Sequence, residues 1–153
     1  MSNKSEQPVA KAQMMIRKPV AEVFQSLIDP RITSHFWFSK GAAPLQVGES
    51  VRWDWEMYGV HTIADVKAID SDERILIEWN GPENPSFVEW TFRSIEDGQT
   101  FVTVRNWGFS GGAEEAINST EGFTNLLAAM KFYLEHGIEP NLVLDHAPNA
   151  RVI

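Results

Sequence analysis

Few side chains in this sequence have the type and spacing to make or break a covalent bond. The four histidines, His35, His61, His136 and His146, share no motif. There is no His-Glu-x-x-His and no histidine pair one helical turn apart, so a zinc site has no support. His61 falls on a solvent face by alternation, and His136 suits a helix C-terminus. His35, beside Phe36 and Trp37, could stand at a pocket entrance. Cysteine is absent, which removes a thiol nucleophile, a cysteine zinc site and a disulfide framework. The carboxylates Asp54, Glu56, Asp65 and Glu78 fall on outward strand faces, and no inward pair suggests a coupled acid and base. Serine lacks the Gly-x-Ser-x-Gly elbow. The Gly-Phe-Ser-Gly-Gly run at 108–112 matches neither phosphate-loop pattern and has no lysine after it, so it reads as a linker. The Asn118-Ser119-Thr120 sequon lies on an expected helix and carries no weight.

Binding chemistry is better supplied. Six tryptophans and nine phenylalanines are a large aromatic load for 153 residues. Strand alternation points Trp53, Trp55, Trp79, Trp90 and Phe92 inward, with Phe123, Leu127 and Met130 on a helix opposite and Phe36 and Val104 beside them. Such a set can line a pocket for a flat or greasy ligand, because buried aromatics give large contact areas at low entropy cost. It can equally be the packed core of a curled sheet. Four buried indole N–H groups would each need a partner, which favours a cavity holding water or ligand. Asn106 is in register with Val102 and Val104 and should face inward, where its amide must be paired. It could orient a ligand carbonyl or hydroxyl, or it could bond to backbone at a strand end. Thr62 presents the same alternatives.

The elements that must position these residues follow from the periodicities. Residues 10–16 read as a strand. Pro19 suits the first position of a helix carrying Val20, Val23, Phe24, Leu27 and Ile28, which Asp29-Pro30 ends. Residues 31–37 could form a second short helix, and 41–48 a loop. Residues 50–57 alternate, with Val51, Trp53, Trp55 and Met57 opposite Arg52, Asp54 and Glu56. Residues 60–69 alternate too, except that Ile63 sits on the wet face. Further strands are expected at 74–79, 87–95 and 100–107, separated by a turn at 70–73, a Gly/Pro loop at 80–85 and a hairpin at Asp97-Gly98. From 113 to 136 the period becomes 3.6, with Ile117, Phe123, Leu127, Met130 and Leu134 on one side. Glu114 and Glu115 suit that helix's start and Gly137 its stop. Such a helix is about 36 Å long, close to the width of a domain this size. Residues 1–8 should fray, and the tail 138–153, with two prolines, has no assignable pattern. The expected class is α+β: a curved antiparallel sheet wrapped around a long C-terminal helix, with two short helices after the first strand, in a single domain over 1–153.

Order and motifs resemble the SRPBCC (START/Bet v 1-like) superfamily, and within it the branch related to the activator of heat-shock-protein-90 ATPase. Pro19-Val20-Ala21-Glu22-Val23-Phe24 with Leu27 and Asp29-Pro30 is similar to that branch's early helix. Ala64-Asp65-Val66, Ile69-Asp70 and Glu73-Arg74-Ile75-Leu76-Ile77-Glu78-Trp79 resemble its central strand-turn-strand. Gly98-Gln99-Thr100-Phe101-Val102-Thr103-Val104 and Gly122-Phe123 resemble its last strand and helix core. Ala64 stands where the motif usually has Gly, and Phe123 where Trp is usual. The resemblance implies a helix-grip fold, often with an internal apolar cavity, but fold does not fix function.

The net charge of −8, from 21 acidic against 13 basic residues, argues against nucleic acid or an anionic membrane as partner. No apolar run approaches the ~20 residues of a membrane span, and residues 1–11 lack the apolar core of a signal peptide, so the expected address is cytoplasmic. Three functions follow in order. The first is a module binding an apolar or aromatic small molecule, with no cofactor, no metal and no catalytic set. The second is a cyclase-, aromatase- or hydrolase-like enzyme using the same cavity, with Asn106, Thr62, His35 and Tyr133 as candidates. The third is a co-chaperone-type interaction domain, although that co-chaperone carries a further N-terminal domain for which this chain has no room. Outward Ile63, Leu76, Phe87 and Phe101 would form a homodimer patch if contiguous.

Overall fold

The first strand, β1 (Ala10–Ile16), buries Ala10, Ala12 and Ile16 on one face. The computed structural model describes residues 7–81 and 84–152. Residues 1–6 of the segment expected to fray, and residues 82–83 of the loop expected at 80–85, therefore fall outside the described residues. Helix α1 (Val20–Ile28) buries Val23, Phe24 and Leu27. Pro19 lies one position earlier than expected, as the N-cap, and its carbonyl accepts from the Glu22 and Val23 N–H groups.

The second helix is shorter than its sequence suggests. α2 is the single turn Pro30–Thr33, with Pro30 inside its start, where a missing N–H costs nothing. Asp29 caps it by accepting the Arg31 N–H at 2.9 Å. Asp29 also pairs with the Arg31 guanidinium, which holds its carboxyl below the usual carboxylate value. Thr33 ends the helix: its hydroxyl lies 2.5 Å from the Ser26 carbonyl, and its own carbonyl accepts from both Phe36 and Trp37 N–H. This double turn drives Phe36, Trp37 and Phe38 together into the core.

Six further strands follow, rather than about five. They are β2 (Lys40–Gly41), β3 (Ser50–Trp55), β4 (Val60–Asp70), β5 (Arg74–Trp79), β6 (Ser86–Glu96) and β7 (Gln99–Trp107). The sheet order is β1-β7-β6-β5-β4-β3-β2, every pair antiparallel. β3 stops at Trp55, so Met57 leaves the sheet in a 3-10 turn, Glu56–Tyr58, closed by Gly59 at φ 63°. β4 changes parity at a bulge between Val66 and Ala68, so that Thr62, Ala64, Val66 and then Ile69 share the inner face. One extra residue at that point is why Ile69 breaks the even-numbered alternation.

Helix α3 (Gly112–His136) crosses the concave face and buries Phe123, Leu126, Leu127 and Met130 against the sheet. Gly137 ends it at φ 67°, a conformation glycine adopts without a Cβ penalty. The curled antiparallel sheet gripping this helix is the α+β helix-grip arrangement. The tail beyond it forms the short α4 (Leu142–Asp145) and a 3-10 turn, Pro148–Ala150. Among the described residues, no helix is long and apolar enough to cross a membrane.

The end of α3 is clasped to the end of β1. Lys131 Nζ donates to the Met15 carbonyl at 2.9 Å and to Glu135 Oε2 at 2.7 Å, and that oxygen also accepts the Arg17 N–H at 2.7 Å. Burial raises the Glu135 carboxyl, but the Lys131 ammonium and the Arg17 N–H outweigh it and leave it below its ordinary value of 4.5. A carboxyl whose pKa is lower folded than unfolded stabilises the fold above the unfolded pKa, and that stability is lost as pH falls through the folded pKa. Urea midpoints should therefore fall as pH drops below roughly 4.5. Glu135→Gln should flatten part of that acid limb and lower the midpoint at neutral pH. An unchanged limb in the variant would show that the clasp is not coupled to folding.

Candidate functional site

A cleft of about 400 Å³ opens between the inner face of the sheet, α3 and the tail. Trp37, Trp55, Trp79 and Phe123 form its apolar wall. Trp37 and Trp55 meet edge to face at 5.5 Å and 75°, and Trp79 stacks on Phe123 at 5.8 Å and 28°. Each arrangement suits the quadrupoles of the rings. The α3 side contributes Glu115, Asn118, Ser119, Gly122 and Asn125, and Asn80 follows β5 at the rim. Tyr58, Val143 and His146 close the remaining side.

Beneath the wall lies a buried polar network. Asn106 is 4% exposed. Its Nδ2 donates to the Phe87 carbonyl at 2.7 Å and to Ser86 Oγ at 3.1 Å, and its Oδ1 accepts from Ser119 Oγ at 2.7 Å. The Phe87 carbonyl can only accept, which fixes the amide orientation. Ser86 Oγ also accepts the Trp79 indole N–H at 3.1 Å. The network thus ties β6, β7 and α3 together and holds one ring of the wall in place.

The tail is held by Tyr58, whose hydroxyl lies 2.6 Å from the Val143 carbonyl and 2.9 Å from that of Leu144. Arg151 pairs with Asp145, and the Val152 N–H donates to the Met57 carbonyl at 2.9 Å.

Of the residues singled out in the sequence, Trp55, Trp79, Asn106 and Phe123 line this cleft. Trp53, Trp90, Phe92, Val104, Leu127, Met130 and Phe36 pack in the core behind it. Thr62, on the inner face but not lining the cleft, accepts the Asn80 N–H at 3.3 Å and so supports the rim. The indoles divide likewise: Trp79 has its partner in Ser86, whereas Trp90 Nε1 is buried without one among the described residues. His35 stacks on Tyr133 at 4.6 Å beside a smaller crevice, away from the cleft. Sequence reasoning passed over Trp37, Tyr58, Glu115, Ser119 and the tail residues Val143 and His146. Trp37 and Tyr58 sit in turns where neither strand nor helix periodicity applies. Glu115 and Ser119 lie on the polar side of α3, where the sequence reads the first as a helix-start acid and the second as part of a sequon.

The outward apolar residues do not form one patch. Across the strands Ile63 faces Arg52, Leu76 faces Glu89 and Phe101 faces Arg93, while Phe87 stacks on Trp107. Among the described residues, no cluster of His, Cys, Asp or Glu is arranged to hold a metal ion.

Fold and cleft together define a helix-grip protein. Residues 17–135 match the family described as Activator of Hsp90 ATPase homolog 1-like protein, and the chain belongs to that family. Among curated proteins none matches the sequence. Similar solved structures include DynU16, from the dynemicin biosynthetic locus, at 23% identity and TM-score 0.78 over 86% of this chain and 49% of that one. This chain thus spans about half the length of DynU16. The Aha1 dimer from Colwellia psychrerythraea aligns at 16% identity and TM-score 0.75, over 84% of this chain and 97% of that one. CalU16 from Micromonospora echinospora aligns at 16% identity and TM-score 0.67, over 95% and 92%.

Proposed function

We propose that the cleft binds a flat, largely apolar small molecule. The observation that carries this is the ring-walled space of about 400 Å³, within the range of small-molecule sites, backed by a few placed polar groups. Similarity to DynU16, from a biosynthetic locus, supports a small organic ligand over a macromolecular one. Glu115 and His146 on the walls favour a second reading, in which the cleft also moves protons on its ligand as a cyclase- or hydrolase-like enzyme does.

Gly122 supplies the test. It lines the cleft within α3, and a Cβ built there meets nothing within 4 Å. Leucine at this position gains about 0.8 kcal/mol of helix propensity over glycine and projects into the empty space. Gly122→Leu should therefore raise the urea midpoint while abolishing binding of naphthalene-sized probes, read by calorimetry and by loss of any small molecule released on denaturing mass spectrometry. Undiminished binding in this stable variant would place the ligand elsewhere and end the proposal.

A further inference from the structure

We infer that the ligand of this cleft is a cation, an aromatic or alicyclic scaffold bearing a protonated amine, rather than a carboxylate or phosphate; this rests on the binding function proposed above. Asn106, Ser119, Tyr58 and Trp79 have their protons occupied, and the first three keep lone pairs, while the Trp37 and Trp55 indoles and the His146 ring bring further N–H donors to the walls. Both Nδ2 protons of Asn106 go to Ser86 Oγ and the Phe87 carbonyl, while its Oδ1 accepts one bond, from Ser119, and has a second lone pair. Ser119 Oγ gives its proton to Asn106 and retains acceptor capacity. Tyr58 gives its proton to the tail carbonyls, and the Trp79 N–H goes to Ser86. The side-chain amides of Asn80, Asn118 and Asn125 offer both kinds of group and do not discriminate.

Charge points the same way. Among the described residues, Glu115 is the one carboxyl group on the walls, and neither lysine nor arginine lines them. Its Oε2 accepts from Asn84 Nδ2 at 3.3 Å, which leaves further acceptor positions on the carboxylate. Opposite lie the faces and edges of Trp37, Trp55, Trp79 and Phe123, and indole faces attract cations through their quadrupole. An anion would find indole N–H donors but also the Glu115 carboxylate and the spare lone pairs of Asn106 and Ser119. An ammonium group would meet acceptors, and its apolar scaffold would meet rings. The net charge of −8 would steer a cation toward the protein and repel an anion.

The test compares three probes on one scaffold: naphthylethylammonium, naphthylethanol and naphthylpropionate. Affinity is measured by calorimetry, and the site by shifts of the tryptophan indole N–H resonances. The ammonium should bind about tenfold or more tighter than the alcohol, and the propionate weakest. Glu115→Gln should remove most of that preference, weakening the ammonium far more than the alcohol. Glu114→Gln, which removes the same charge one residue off the cleft, should preserve it and so separate a local carboxylate from the general field. Equal or tighter binding of the propionate, or a preference lost equally in both variants, overturns the cationic ligand and leaves the binding site standing. If none of the three probes shifts an indole resonance, both proposals fall together.

Discussion

Replacing Trp37 with alanine should lower the folding free energy by about 3–5 kcal/mol, the largest effect expected of any single truncation in this chain. The ring is 8% exposed and sits where the two halves of the aromatic system meet. On one side it packs against Trp53 at 5.1 Å and Trp90 at 5.7 Å, both in the solid core. On the other it faces Trp55, Trp79 and Phe123, the wall of the cleft. Alanine would remove the shared wall, and the residue positions around it cannot close in. The turn that carries Trp37 is fixed by Thr33, and Trp79 is held to Ser86. Trp55→Ala is the matched comparison. That ring is half-buried at the rim, where water can fill the gap, and should cost about 1–2 kcal/mol. Urea denaturation of both variants checks this. Comparable losses for the two would mean that Trp37 is not the shared support inferred from its position. Probe binding should weaken in both, but only Trp37→Ala should move the Trp53 and Trp90 indole resonances.

The layered fold was legible because its two periods are plain in β3 and in the second half of α3, although Ile117, read as part of the helical stripe, is exposed. Val51, Trp53 and Trp55 opposite Arg52 and Asp54 can be read only as a half-buried strand, and the stripe of Phe123, Leu127 and Met130 only as a helix face. The bulge in β4 was not legible, since one extra residue changes which side chains point inward without changing composition. Inward orientation alone also could not separate cleft from core. Trp53 and Trp55 point the same way from one strand. Trp53 ends 2% exposed beneath Phe38, at 5.2 Å, whereas Trp55, one pleat nearer the strand end, reaches the opening. Depth along the strand decides this, and depth depends on where Phe38 and the tail come to rest. Both lie in segments governed by turn geometry, which no hydrophobic period reports. Asn106 was legible for the opposite reason: a lone amide in an inward row of valines must be paired, whatever pairs it.

That amide carries the second large effect. Asn106→Leu keeps the branched shape of the side chain, with somewhat more bulk, but removes its hydrogen bonds to Ser86, Phe87 and Ser119. Each such bond is worth about 1 kcal/mol net, and a buried partner left unpaired costs more, so a loss of about 2–4 kcal/mol is expected despite the added apolar surface. The groups are unequal. Ser119 is half-buried on α3 and can turn its hydroxyl toward the open cleft, so Ser119→Ala alone should cost about 1 kcal/mol or less. Ser86 is 2% exposed and keeps only the Trp79 indole as a partner once the amide is gone. The penalty should therefore concentrate between β6 and β7 rather than at the helix. A double-mutant cycle of Asn106→Leu with Ser86→Ala should show coupling of about 1 kcal/mol or more, and one with Ser119→Ala less. The Trp79 N–H resonance reports the same asymmetry, shifting in Asn106→Leu and hardly at all in Ser119→Ala. If Asn106→Leu costs under about 0.5 kcal/mol, water already serves these groups and the amide is not a structural pin. If the loss is large and Trp79 moves with it, the strand amide sets the ring that the ligand must meet.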